Sequence, residues 1–223
     1  MLGIFGYYLS SLFDFIGLQY VSAGLERLIL FLYPSFVVLI NAGLFKQKIS
    51  ATQKIALALT YAGIAIAYYG ELSIKGDTPN YLWGSFLVFL CAVTYSFYLV
   101  GSSKVIPIVG ATKFTAYAML AASAGVFVHY SISNGFSNLH GDAHLWWFGI
   151  LLAIIATVIP SFLLSLGLKK AGANNTAIIS SLGPVSTILQ AHYFLGEDIF
   201  AAQIFGTALV VLGVLLLSWK KYK

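Results

Sequence analysis

Three charged side chains sit where an apolar sequence should have none. Asp14 lies about four residues from the end of the first apolar run, and Glu26 and Arg27 open the second. Charge in hydrocarbon is costly, so an intramembrane acid is a functional candidate by default. If the two runs form a helical hairpin, all three groups reach the same depth, and their spacing predicts an Asp14–Arg27 ion pair. Glu26, at a helix N-terminus, also suits the helix dipole. Two readings stay open at this point. The cluster is either a proton-coupling site or outer gate, or a static clamp near the interface.

Other runs carry neutral polar groups that could line a solute cavity: Tyr95, Ser161, Ser186, Gln190 and Asn41. Tyrosines offer both a ring face and a hydroxyl, which suits a small polar or amphipathic solute and equally suits aromatic packing. Three prolines, Pro34, Pro160 and Pro184, lie near the middles of apolar runs. A proline has no amide to give and frees the carbonyl four residues back, here those of Leu30 (by Pro34) and Ser180 (by Pro184). In lipid a freed carbonyl needs a neighbouring side chain or a water-lined cavity. Each proline is thus expected to kink its helix, either beside a binding region or as a packing bend satisfied by nearby Ser or Thr.

Enzyme chemistry finds no foothold. His140, Asp142 and His144 lack a further ligand at metal-binding spacing, so no metal is expected. Ser102 and Ser103 fall at the opposite end of the sequence pattern from His192, which leaves no nucleophile with its base. Cys91 is the single cysteine and sits in an apolar run. No cofactor is expected.

These residues need elements to hold them, and composition says which. The chain has 223 residues, 60% hydrophobic and 9% charged, with mean hydropathy +0.90. A soluble domain carries about a quarter charged residues. Membrane lipid is therefore the expected surrounding. The net charge of +5 is scattered between apolar runs and forms no basic patch, so no nucleic acid partner is expected.

Eight runs are long enough to be read as membrane helices: 1–18, 24–44, 52–70, 81–103, 112–130, 146–168, 175–196 and 200–219. Their continuous apolar character argues for helices rather than barrel strands, which alternate. Alternation of the loops puts Lys46, Lys48, Lys54, Lys104, Lys113, Lys169, Lys170, Lys220, Lys221 and Lys223 on one side. Only Arg27 and Lys75 fall on the other. Basic loops stay cytoplasmic, so both termini are expected inside a cell membrane, with a bacterial inner membrane as the setting. Trp83, Trp146 and Trp147 then belong to the outer aromatic belt.

One pattern orders the whole chain. Residues 17–63 align without a gap on residues 167–213, pairing Gly17 with Gly167, Pro34 with Pro184, Gln53 with Gln203 and Gly63 with Gly213. An odd number of crossings separates the copies, so they are expected to thread the membrane in opposite senses. Inverted repeats around a midplane site are a transporter architecture. The linker ELSIKGDTPN, with Gly76 and Pro79 as breakers, is the natural boundary between the repeats.

The stretches KKAGANNTAIISSLGP, LGEDIFAAQ and Gln203 to Gly213, echoed by QYVSAGLERLILFLYP in the first half, resemble the drug/metabolite transporter superfamily of the EamA type. The resemblance covers the whole chain. It implies an all-α integral membrane fold of two five-helix repeats, present here in an incomplete 3 + 5 form. Residues 1–70 would be a truncated first repeat of three helices and residues 81–219 a complete second repeat of five. The implied activity is secondary transport of a small-molecule solute, such as an amino acid, outward by alternating access, with proton coupling as one option. The absent pair of helices keeps a second reading open, that of a non-transporting or regulatory protein, or part of an assembly completed by another chain.

Overall fold

The computed structural model describes residues 1–46, 48–75, 79–134, 143–180 and 183–219, with the backbone alone at 45, 74–75, 134, 143, 168, 171–180, 184–185 and 217–219. Helices account for all the secondary structure among them. A π-helical turn π1 (Ile4–Leu9) runs into α1 (Ser10–Gly17). Next come α2 (Ala23–Leu30), α3 (Tyr33–Phe45), α4 (Ala51–Lys75), α5 (Tyr81–Val109) and α6 (Ala111–Asn134). Then α7 (Ala143–Leu152) leads through a second π-helical turn, π2 (Ala153–Val158), into α8 (Ile159–Ser180), followed by α9 (Gly183–Leu195) and α10 (Ala201–Trp219). Among the described residues, five stretches are long and apolar enough to cross a membrane: Ala23–Leu44, Ala51–Ser73, Tyr81–Val109, Ala111–Ser133 and His144–Gly167. Ala201–Leu216 is a shorter apolar helix. The first and seventh expected runs are also helical, but short.

The repeat is legible in the backbone. α3 and α9 begin and end 150 residues apart, α4 and α10 begin 150 residues apart, and the two π-helical turns fall one residue out of that register. Packing carries the same relation. α4 and α10 lie antiparallel along a seam of small residues. A side chain added at Gly63 would meet the Gly206 carbonyl at 2.5 Å and Val210 at 3.0 Å, and one added at Gly213 would meet Ala56 O at 2.7 Å and the Thr60 hydroxyl. Exchanging the copies turns Gly63–Gly206 into Gly213–Ala56, and Gly63–Val210 into Gly213–Thr60. Both mates are present. A contact that maps onto itself when its partners swap has a two-fold axis through it. Lipid supplies no hydrophobic drive between helices, so close backbone approach at small residues is what holds such a seam.

α2 is the centre of the bundle. Leu25 and Ile29 join Val21, Leu32, Tyr81, Val88 and Ala92 in one buried cluster. Leu28 packs on the opposite side with Phe31, Ala67, Val210 and Val214. α2 is short because Pro34 follows. A continuous helix would set the proline ring against the Leu30 carbonyl. The chain instead turns at Phe31 and Leu32, and Pro34 becomes the second residue of a new helix, where its missing amide costs nothing. The expected kink is therefore a break.

One expected turn is not a turn. Residues 169–174, read from the sequence as the loop between the sixth and seventh runs, lie inside α8. In the first copy the equivalent turn ends at Ser22, whose hydroxyl accepts from the Leu25 amide at 3.1 Å and starts α2. The equivalent residue is Gly172, which has no side chain to cap a new helix.

Candidate functional site

Two groups of polar residues meet α2 and α3. The first gathers at the α2 N-terminus. Ser22, besides capping the helix, donates to Glu71 Oε2 at 2.8 Å, and both residues are buried. Glu197, from the turn before α10, reaches across to the same place. Its carboxylate accepts from the Ala23 amide at 3.0 Å and the Gly24 amide at 3.4 Å. These are the amides a helix start leaves without internal partners, so a carboxylate there satisfies both donors and the dipole.

One turn further along, Glu26 is 3% exposed. Its Oε2 stands 3.7 Å from Arg27 Nε, an ion-pair distance too long for a hydrogen bond. The expected Asp14–Arg27 pair is thus replaced by a pair between neighbours on α2. Asp14 instead brings its carboxyl within reach of the Glu26 carboxyl. Asp14 Oδ1 and Glu26 Oε1 are both buried with no hydrogen-bond partner. These acid oxygens are buried while the Arg27 side chain is 40% exposed, and unpaired charge on a buried oxygen is expensive.

The second group is aromatic and surrounds the break in the second run. Tyr33, the first residue of α3, packs edge-on against Tyr95 with ring centroids 5.4 Å apart. Tyr95 stacks on Tyr98 at 5.8 Å, and Tyr98 meets Tyr7 edge-on at 5.2 Å. The Tyr7 and Tyr98 hydroxyls are 3.1 Å apart. Ser96, wholly buried, shares its one hydroxyl proton between the Ala92 carbonyl one turn back at 2.6 Å and the Tyr33 carbonyl at 3.0 Å, and the second contact ties α5 to the restarted helix. Gly6 leaves room for Tyr98, because any side chain there would collide with the ring. Four tyrosines from three separate helices form one continuous aromatic wall.

Of the residues anticipated for a cavity, only Ser186 and Gln190 are in contact among the described residues. Tyr95 belongs to the aromatic wall. Asn41 is half-buried on α3, where its carbonyl accepts the Lys46 amide. Ser161 is buried on α8, one turn before Ser165, whose hydroxyl bonds Thr115 at 2.6 Å. Ser186 and Gln190 are exposed and bond each other along α9 at 2.8 Å. Pro184 repeats the position of Pro34, the second residue of its helix, whereas Pro160 follows π2 within a helix that continues from α7 into α8. His140 and Asp142 lie outside the described residues. His144 is exposed, and no metal-binding cluster occurs among the described residues.

Sequence reasoning missed Ser22, Tyr33 and Ser96. Ser22 left a signal, a hydroxyl residue directly before an apolar helix. Tyr33 and Ser96 left none, since their meeting depends on how α3 leans on α5.

A family model described as the EamA-like transporter family matches residues 82–219. The chain is 32% identical over 225 residues to the "Uncharacterized transporter YcbK" of Bacillus subtilis strain 168, covering 99% of this chain and 72% of that protein. It is 24% identical to an "Uncharacterized transporter" of Archaeoglobus fulgidus, covering 99% of this chain and 76% of that protein. A solved structure titled "Crystal structure of protein" superposes with a TM-score of 0.65 at 21% identity, covering 98% of this chain and 76% of its own, and so shares the fold.

Proposed function

Since this chain belongs to the EamA-like transporter family, whose members move small solutes across membranes, we propose that it is a secondary transporter exporting a small metabolite such as an amino acid by alternating access. The observation that carries this reading is the α4–α10 seam. Its contacts exchange with one another when the two copies are swapped, so each copy can take the other's place about a midplane axis. That exchange of roles is what converts an inward-open state into an outward-open one.

The solute would meet the half-buried Tyr7, Tyr33 and Tyr95 beside the helix break, with the buried Tyr98 supporting them from behind. Tyrosine faces and hydroxyls suit a solute with both apolar and polar parts. With no dense cluster of cations there among the described residues, phosphate-rich solutes are disfavoured. The Asp14–Glu26–Arg27 cluster is the candidate for proton coupling, and Ser161, Ser186, Gln190 and Asn41 stay as candidate cavity residues. On the same reading residues 1–70 and 81–219 are the two repeats, and the lysine-rich end of the bundle faces the cytoplasm of the cell. Purified chain in proteoliposomes, loaded in turn with amino acids and assayed with and without a pH gradient, tests this. Efflux accelerated by an inward proton gradient is expected, and a flat response across the panel would sink it.

A second reading is favoured by one feature, the sparse packing of the 144–167 stretch. Only 6% of its most apolar window is buried, against 50% for α5. The equivalent first helix packs on α5 and α6, with Gly17 against Gly84 and Val88, and Gly3 against Ala118. On this reading the chain is a regulatory protein, or works in an assembly completed by another chain that covers this face. Solute flux by the purified chain alone would exclude it.

A further inference from the structure

Glu197 belongs neither to the aromatic wall nor to the buried pair of acids, yet it spans the two repeats. We propose that Glu197 is the latch of an outer gate, closing the solute path by bridging the repeats at the α2 N-terminus. This deepens the transport reading and rests on it.

The bridge joins segments that move apart if the repeats rock. Glu197 belongs to the turn between α9 and α10 in the second repeat, while Ala23 and Gly24 open α2 in the first. The turn itself is braced, because the His192 ring nitrogen Nδ1 donates to the Glu197 carbonyl at 2.8 Å. The receiving end is braced as well, through Ser22 and its bond to Glu71 from α4. Gln203 adds a second point of closure. Its amide nitrogen packs where a Gly24 side chain would stand, and its Oε1 is buried with no hydrogen-bond partner. Gly24 thus lets α10 approach α2, and the carboxylate holds it there.

The latch is one-sided by chemistry. The repeat places Gln47 where the second copy has Glu197. The amides equivalent to those of Ala23 and Gly24 lie inside α8 rather than at a helix start, so among the described residues charge-assisted closure is available at one end of the path only. Lysine distribution puts the Glu197 end outside. A transporter latched outside and unlatched inside rests open to the cytoplasm, where an exporter loads its solute.

The test needs no solute. Cysteines replace Gln19 and Asp198, both exposed, in a Cys91→Ala background. Spin labels on them report the distance between the two turns in nanodiscs by pulsed electron resonance. The unmodified latch should give one short distance. Glu197→Gln keeps the shape and removes the charge, and should move the population about tenfold toward a longer distance, in line with the usual worth of a charged hydrogen bond. Glu197→Asp should fall between. Impermeant maleimide should label the Gln19→Cys site faster in the Gln variant. An unchanged distance distribution in Glu197→Gln overturns the latch, as does equal lengthening in an Asp198→Asn control built with the label moved to Ile199. If the latch opens as expected while no solute in the panel moves, the transport reading fails and the latch stands as a conformational contact.

Discussion

Replacing Gly206 with alanine probes the seam on which the proposed alternation depends. A Cβ built there collides with the Gly63 carbonyl and lies 2.8 Å from the Ala67 methyl. Two of the helix backbones must then separate, since a carbonyl oxygen cannot turn aside as a flexible side chain would. Overpacking of this kind costs about 1–3 kcal/mol, while alanine returns up to about 1 kcal/mol in helix propensity over glycine. A net loss of about 1–2 kcal/mol is expected. Gly43→Ala is the control. Nothing lies within 4 Å of a Cβ there, so only the propensity gain operates and stability should hold or rise. Gly63→Ala should cost about as much as Gly206→Ala. The pair together should cost less than the sum, because the first substitution has already opened the seam for the second. Denaturant-induced unfolding in detergent micelles, followed by tryptophan fluorescence, reads the four variants against the parent. Gly206→Ala as stable as the parent, or a strictly additive double variant, would refute the packing argument and with it the two-fold contact.

Ser22→Ala should cost about 1 kcal/mol as a lost helix cap, more than a surface serine, since Glu71 also loses its 2.8 Å donor; chemical unfolding measures it. Ser96→Ala removes the tie from α5 to the Tyr33 carbonyl and should cost about 0.6 kcal/mol, the usual worth of an interhelical bond in lipid, measured the same way. Tyr98→Phe breaks the hydroxyl pair with Tyr7 while keeping the ring. It should leave folding nearly intact and weaken solute binding by about threefold to tenfold, within the range of one neutral hydrogen bond; transport against solute concentration gives the apparent KM. Asp14→Asn should abolish pH-driven flux if Asp14 carries the proton, and counterflow without a pH gradient should survive. Unchanged pH-driven flux with altered expression would assign Asp14 to a static clamp.

Much of this protein is written in its one-dimensional pattern. Charge scarcity and run length dictate a helical membrane bundle, because a backbone in lipid must satisfy its own hydrogen bonds. The 150-residue echo dictates which helices correspond, down to the shared first residues of α4 and α10. Pro34 dictates an interruption in the second run, since its ring has no amide for Leu30 wherever the helix lies.

Partnership among polar groups was decided only by the fold. Asp14 and Arg27 read as a pair from depth alone, but a side chain's direction around its helix depends on how α1 leans on α2, and Arg27 turns to Glu26 instead. Ser22 meets Glu71 and Ala23 meets Glu197 across loops whose lengths say nothing of where their ends settle. The turn expected at 169–174 failed for a local reason, a glycine standing where the first copy has a capping serine. Periodicity and composition act along the chain and can be read along it. Which carboxylate finds which amide is settled by close packing between distant helices, and that exists only once the chain has folded.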